Sequence, residues 1–179
     1  SVVGVICTHM HPDHIGQARM ITEQFQCPLY MTRGEYYQAR TFANGSSDSH
    51  SSWIGQQFYK RAGMPADYLE QISKMWSQRA SEGMSMPTLP GGYERLVDGQ
   101  VLRIGDNDWR VVVGSGHSPE HACLYSSALK VLISGDQILP IITSNVSVHP
   151  SEPNANPMKD WMESHDRLLE VIPDDTFVS

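Results

Sequence analysis

The chain has 179 residues, 40% of them hydrophobic and 18% charged, with a formal net charge of −7. That length supplies one sizeable core and not two, so a single domain over residues 1–179 is expected. Thirteen Lys and Arg without a basic run give a nucleic acid no patch from which to release counterions, and no apolar run approaches the ~20 residues of a membrane span.

In chain order, residues 2–6 form an apolar, β-branched run that predicts a strand, and it empties into His9-Met10-His11-Pro12-Asp13-His14. In an extended conformation His9 and His11 point the same way and can share one ion. Pro12 turns the chain out of the strand and places Asp13 and His14 at a helix start, displaced sideways, where they suit a second ion. The pattern H-x-H-x-D-H therefore points to a binuclear metal site. A polar loop with solvated histidines is the competing reading, and it fits a lone His better than this cluster.

Residues 16–25 carry Ala18, Ile21 and Phe25 near helical spacing, and residues 27–32 read as a short strand, which completes a βαβ pattern. Residues 33–42 read as a helix and 44–47 as a loop. Two more helices are expected at 53–61 and 66–79, the second with Tyr68, Ile72, Met75, Trp76 and Arg79 at intervals of three and four and Pro65 at its start. The segment 82–92 closes a mostly helical insertion, residues 44–92, longer than a usual connection. Its aromatic and Met side chains are expected to wall a pocket at the metal edge or to serve a homodimer contact. From Tyr93 short β-like runs follow at 101–104, 109–113, 122–125 and 131–133, separated by turn signals, which predicts antiparallel sheet. Residues 157–172 place Trp161, Met162, His165, Leu168, Leu169 and Ile172 on one helix face before a last strand at 176–178. The fold class is α+β.

Two further stretches carry site candidates. In 114–121 an apolar strand runs into Gly114-Ser115-Gly116-His117, and His117 is the expected third ligand of the first ion. His121 reads as a satisfied polar group at a strand start in preference to a support for the ligands. Ser134-Gly135-Asp136 repeats the strand-end pattern, and Asp136 is positioned to bridge two ions. Cys7, Cys27 and Cys123 lie in apolar contexts without C-x-x-C spacing, so they read as buried thiols of a reducing, cytoplasmic compartment.

The ordered set of H-x-H-x-D-H at 9–14, Gly116-His117-Ser118-Pro119 and Ser134-Gly135-Asp136 resembles the metallo-β-lactamase-fold hydrolases, above all the glyoxalase-II-like and lactamase-β-2-like branches. The resemblance implies an αββα sandwich, here incomplete at both ends, with two metals at one edge of the sheets. By position it implies His9, His11 and His117 on the first metal, Asp13 and His14 on the second, and Asp136 between them. Three departures stand out, the first of which bears on local packing alone. Gln17 follows Gly16 where the family often has a second glycine. Asp136 stands where zinc β-lactamases often carry Cys, which argues against β-lactam hydrolysis. The family's last histidine follows a strand like that at 176–178, where this chain ends, and strands are expected before Val2. The chain thus reads as an internal part of a longer hydrolase, and whether that part is active alone stays open.

The ligand set implies two zinc ions in the longer protein, with iron or manganese as alternatives, and a weakly held second ion in this part alone, where the last histidine is absent. Two ions about 3.5–4 Å apart generate a hydroxide at neutral pH, and Asp13 is the expected catalytic group that orients it. The expected reaction is metal-dependent hydrolysis of a small-molecule thioester, ester or lactone. A phosphodiesterase or ribonuclease on the same fold, a mononuclear iron dioxygenase and a non-catalytic scaffold are its rivals. His11 favours hydrolysis over oxygen reduction, because the diiron flavoprotein branch commonly carries Glu there.

Overall fold

The computed structural model describes residues 1–43, 52–81 and 87–179. The expected loop at 44–47 and the start of the segment 82–92 lie outside the described residues, as do the side chains of Trp76 and Arg79.

The elements run β1 (Val5–Ile6), α1 (Pro12–Ile15), α2 (Ala18–Phe25), β2 (Leu29–Met31), α3 (Arg33–Ala43), α4 (Trp53–Arg61), α5 (Ala66–Ser81), β3 (Glu94–Arg95), β4 (Val101–Ile104), β5 (Asn107–Gly114), β6 (His121–Ser126), β7 (Val131–Ile133), a single 3-10 turn (Gly135–Gln137), α6 (Pro157–Val171) and β8 (Phe177–Val178). They build two sheets. One is the parallel set β1-β2-β3, and the other has the order β4-β5-β6-β7-β8, antiparallel except where β8 joins β7.

Three apolar clusters define the layers. Cys7, Met10, Ile15, Ala18, Leu29, Met31, Tyr36 and Ala39 bury α2 and α3 against the outer face of the first sheet. Leu96, Val111, Ala122 and Leu124, with Ile6, Tyr30 and Val113, fill the space between the sheets. Val112, Cys123, Tyr125, Leu132 and Leu168 pack α6 on the far face. Strand β6 is buried at every residue, with Ala122 and Leu124 turned inward and Cys123 and Tyr125 turned toward α6, as the two-residue period of a strand requires. The result is the expected α+β sandwich with helices on both outer faces.

The structure corrects the sequence reading at three places. The first strand is shorter than 2–6, because Val2 and Val3 are exposed. Glu94–Arg95 is a strand despite its exposed, charged residues, and it runs parallel to β2, so the chain after Tyr93 is not all antiparallel. Its pairing follows from the next residue: Leu96 is buried between the sheets, and its N–H donates to the Met31 carbonyl at 2.9 Å. In α6 the buried stripe runs through Ser164 and Leu168, while Met162 and Leu169 face solvent. The hydroxyl of Ser164 accepts from the Ser115 N–H at 2.9 Å, which draws that polar residue inward and rotates the helix away from the purely apolar face.

Helices α4 and α5 lie in the connection between the parallel strands β2 and β3, and Ser52 caps α4 by accepting from the Gly55 N–H at 3.2 Å. No helix among the described residues is long and apolar enough to cross a membrane. The stripe in α6 predicts a contrast between neighbours in sequence. Leu168→Ala should destabilise by about 2–5 kcal/mol and Leu169→Ala by less than about 0.5 kcal/mol in urea unfolding. Equal losses would place the wrong face on the sheet.

Candidate metal centre

The site forms where the ends of β1, β5 and β7 meet at one edge of the sandwich. After β1 the chain stays extended, so Met10 drops its side chain into the core beside Tyr36 while His9 and His11 face the opposite way. The His11 carbonyl then accepts from the N–H groups of His14 and Ile15, at 2.9 and 3.1 Å, and Pro12 opens the single turn of α1. After β5 the chain passes through Gly116 with φ of +99°, a conformation that L side chains rarely adopt. A Cβ there would also lie 2.5 Å from the Pro157 carbonyl oxygen and from the Trp161 Cβ, so the His117 loop rests directly on the start of α6. After β7, Gly135 takes φ of +50° and passes so close to the His121 ring that a Cβ would sit 2.7 Å from it.

These turns bring all six expected ligands together. His9 Nε2 lies 2.9 Å from His11 Nδ1 and 3.2 Å from His117 Nε2. Asp136 Oδ2 is 3.8 Å from His9 Nε2 and 3.6 Å from His117 Nε2, whereas its other oxygen, Oδ1, is 3.2 Å from His14 Nε2. Asp13 Oδ2 completes the second group at 3.6 Å from His14 Nε2. Two sets could thus each hold an ion, His9, His11, His117 and Asp136, and Asp13, His14 and Asp136, with all ligand atoms of a set within 4.8 Å of one another.

The donor set fits divalent cations on geometry as well as on chemistry. Donors on a tetrahedral ion with bonds of about 2.0–2.1 Å sit about 3.3 Å apart, close to the separations of the three imidazole nitrogens. The opposite ring nitrogens are already engaged. His117 Nδ1 donates to the Asn145 carbonyl at 2.9 Å, which leaves the Nε2 lone pair free, and His9 Nδ1 meets the Thr8 hydroxyl at 3.1 Å. Burial, followed by the charges of the neighbouring imidazoles, holds the His9 pKa far below the ordinary histidine range, and burial lowers that of His11. Neutral imidazole is the form a metal takes.

His121 is a satisfied polar group, as read from the sequence, and it also supports two ligands. It is fully buried and stacks under His9 with ring centroids 4.8 Å apart. Its Nε2 accepts from the Asp136 N–H at 3.1 Å, so it is a neutral ring that fixes the backbone at Asp136. Burial pushes its pKa down to about 3. The three cysteines are free, and burial raises Cys7 to about 11 and Cys123 to about 12, so neither is a thiolate nucleophile.

Sequence reasoning missed Glu35. It is fully buried at the first turn of α3, and its two oxygens accept from the Met10 N–H at 2.9 Å and the Glu120 N–H at 2.8 Å. Burial pushes its carboxyl above the ordinary range. One signal was present: Thr32 and Glu35 have the T-x-x-E spacing of a capping box.

A cleft of about 260 Å³ opens beside His117, lined by Met10, Gln38 and the stretch that carries Ser147, His149, Glu152 and Asp160. Among the described residues that line it, none comes from α4 or α5, while Pro157 and Asp160 belong to the first turn of α6.

The sequence profile of the Metallo-beta-lactamase superfamily matches residues 1–178. The chain belongs to that superfamily. An uncharacterized protein of Aquifex aeolicus (strain VF5) is 28% identical over 177 residues, which are 99% of this chain and 66% of the relative. The acyl-coenzyme A thioesterase MBLAC2 of Bos taurus is 26% identical over 134 residues, 74% of this chain and 40% of that protein. A crystal structure of a beta-lactamase domain protein from Burkholderia ambifaria superposes with a TM-score of 0.77 at 38% identity, over 99% of this chain and 49% of that one. The chain therefore spans only part of the length of each relative, two thirds at most.

The buried neutral imidazoles set a pH dependence. His9, His11 and His121 all have lowered pKa values in the fold and regain about 6.5 on unfolding, so below that pH the unfolded chain binds more protons. Metal-free protein should lose stability as the pH falls from about 6.5 toward about 3, read as a falling urea midpoint. A midpoint that is flat between pH 7 and pH 5 would contradict the buried, neutral rings.

Proposed function

We propose that the protein is a hydrolase of small acyl thioesters, esters or lactones that works with two divalent cations, zinc in the first instance. His9, His11 and His117 hold one cation, Asp13 and His14 the other, and Asp136 lies between. The observation that carries this reading is Asp136 itself: Oδ2 faces His9 and His117, while Oδ1 faces His14. When bound, a pair of such ions lowers the pKa of water toward neutrality and polarises an acyl oxygen.

The chain's own groups divide the remaining work. Asp13 is mostly solvent-exposed, so it can orient an attacking water and receive its proton. His121 and Asn145 keep Asp136 and His117 aimed at the centre. With both core thiols held protonated and buried, water is the nucleophile this edge favours. Among the described residues the cleft beside His117 is lined by Glu152 and Asp160 and by no Lys or Arg, which suits an uncharged acyl group better than a phosphodiester. Similarity to an acyl-coenzyme A thioesterase supports the thioester within that class.

The test is metal analysis of the protein followed by a panel of thioesters, lactones and phosphodiesters. Zinc at two equivalents with turnover of a thioester or lactone is expected of the full-length protein. Asp136→Ala should lower second-ion occupancy and kcat by at least about tenfold with an unchanged circular dichroism spectrum. Unchanged metal content and rate in that variant would reduce Asp136 to a loop residue. Iron with oxygen consumption would move the chemistry to oxidation, and turnover of phosphodiesters alone would replace the substrate class.

A further inference from the structure

The N-terminus of α3 grips both histidine-bearing loops at once. Glu35 takes the Met10 N–H, which lies between His9 and His11, on one oxygen and the Glu120 N–H, three residues past His117, on the other. Thr32 donates its hydroxyl to the Glu120 carbonyl at 2.7 Å, and the Gly34 N–H donates to the Glu120 carboxylate at 2.8 Å. The two side chains of a sequence-level capping box are thus turned away from their own helix and onto loops of different sheets. The approach at Gly34 is close: a Cβ there would lie 3.2 Å from the Glu120 side chain. Glu35 has no exposed surface, touches none of the six ligand side chains among its hydrogen bonds, and could not be left without both N–H donors in so dry a setting.

We propose that Glu35 is a positioning residue that fixes the distance between the His9–His11 loop and the His117 loop, and through it the affinity and geometry of the metal centre. The inference rests on the metal reading above. A carboxylate is the side chain that fits, since both of its oxygens accept and both backbone contacts are N–H groups. Glutamine of the same shape accepts with one oxygen and turns an NH2 toward the second N–H. That leaves one loop repelled and an amide unpaired, while the imidazoles themselves are untouched.

The experiment compares wild-type protein with Glu35→Gln and Glu35→Asp, the second of which keeps the charge and draws the oxygens back by one methylene. Zinc affinity is measured by chelator competition, the absorption spectrum of the cobalt-substituted centre is recorded, and the metal-free melting temperature is measured for each. The expected result is a zinc affinity lowered by about 10- to 100-fold in Glu35→Gln with an altered cobalt spectrum, and an intermediate loss in Glu35→Asp. If Glu35→Gln does not fold, Glu35→Asp decides by the same two readouts. A variant that melts earlier but keeps wild-type zinc affinity and cobalt spectrum would overturn the proposal, because it makes Glu35 a packing residue only, and the metal reading would stand. Wild-type protein that binds no zinc or cobalt would overturn both.

Discussion

Three imidazole nitrogens, two of them 2.9 and 3.2 Å from the third, which sits on a fully buried ring, form the arrangement to which the rest of the structure is fitted. Lone pairs that face one another repel unless an N–H or a positive charge lies between them, and a buried ring has no water to turn to. Protonation is the other escape, and burial with crowding opposes it at His9. The loops that carry these rings belong to different sheets, so the sandwich must hold two layers in register at its edge. It does so with a backbone bond from the Ala122 N–H to the Thr8 carbonyl at 2.8 Å, one residue from His9 on one side and one from His121 on the other.

That bond makes the site continuous with the core. Strand β6 starts at His121, beneath His9, and runs on through residues buried on both faces. Rigidity at the edge is therefore inherited from packing between the layers, with no need for a stiff loop. The glycines at 116 and 135 let the backbone come close enough to α6 and to His121 for that inheritance to work.

How much of this could be read from the sequence depended on range. His9, His11, Asp13 and His14 were legible because strand alternation and a proline turn, both local effects, decide where they point. His117 and Asp136 were legible as strand ends that run into glycine, and the resemblance to a family ordered them around two ions. Glu35 was not legible as part of the site, since its partners lie 25 and 85 residues away and its local context is that of an ordinary helix start. The face of α6 was misjudged for a related reason: apolarity alone chose Leu169, while the polar tie from Ser164 to Ser115 chose the rotation. Strand β3 has no signal of its own, being placed by Leu96 beside it.

The cleft wall differs in kind from the rest of the site. Between residues 138 and 156 the chain forms neither helix nor strand, and it meets the centre through the Asn145 carbonyl on His117 and the Ser144 hydroxyl, which donates to the Asp136 and Gln137 carbonyls. Since a main-chain carbonyl is supplied by any residue, mutation can rewrite the side chain at 145 without His117 registering the change. The same freedom extends to Ser147, His149 and Glu152, which line the cleft from outside the ligand set. The wall of the cleft can in this way be reshaped along one irregular stretch, while the residues gathered at the sandwich edge stay tied to the sheets.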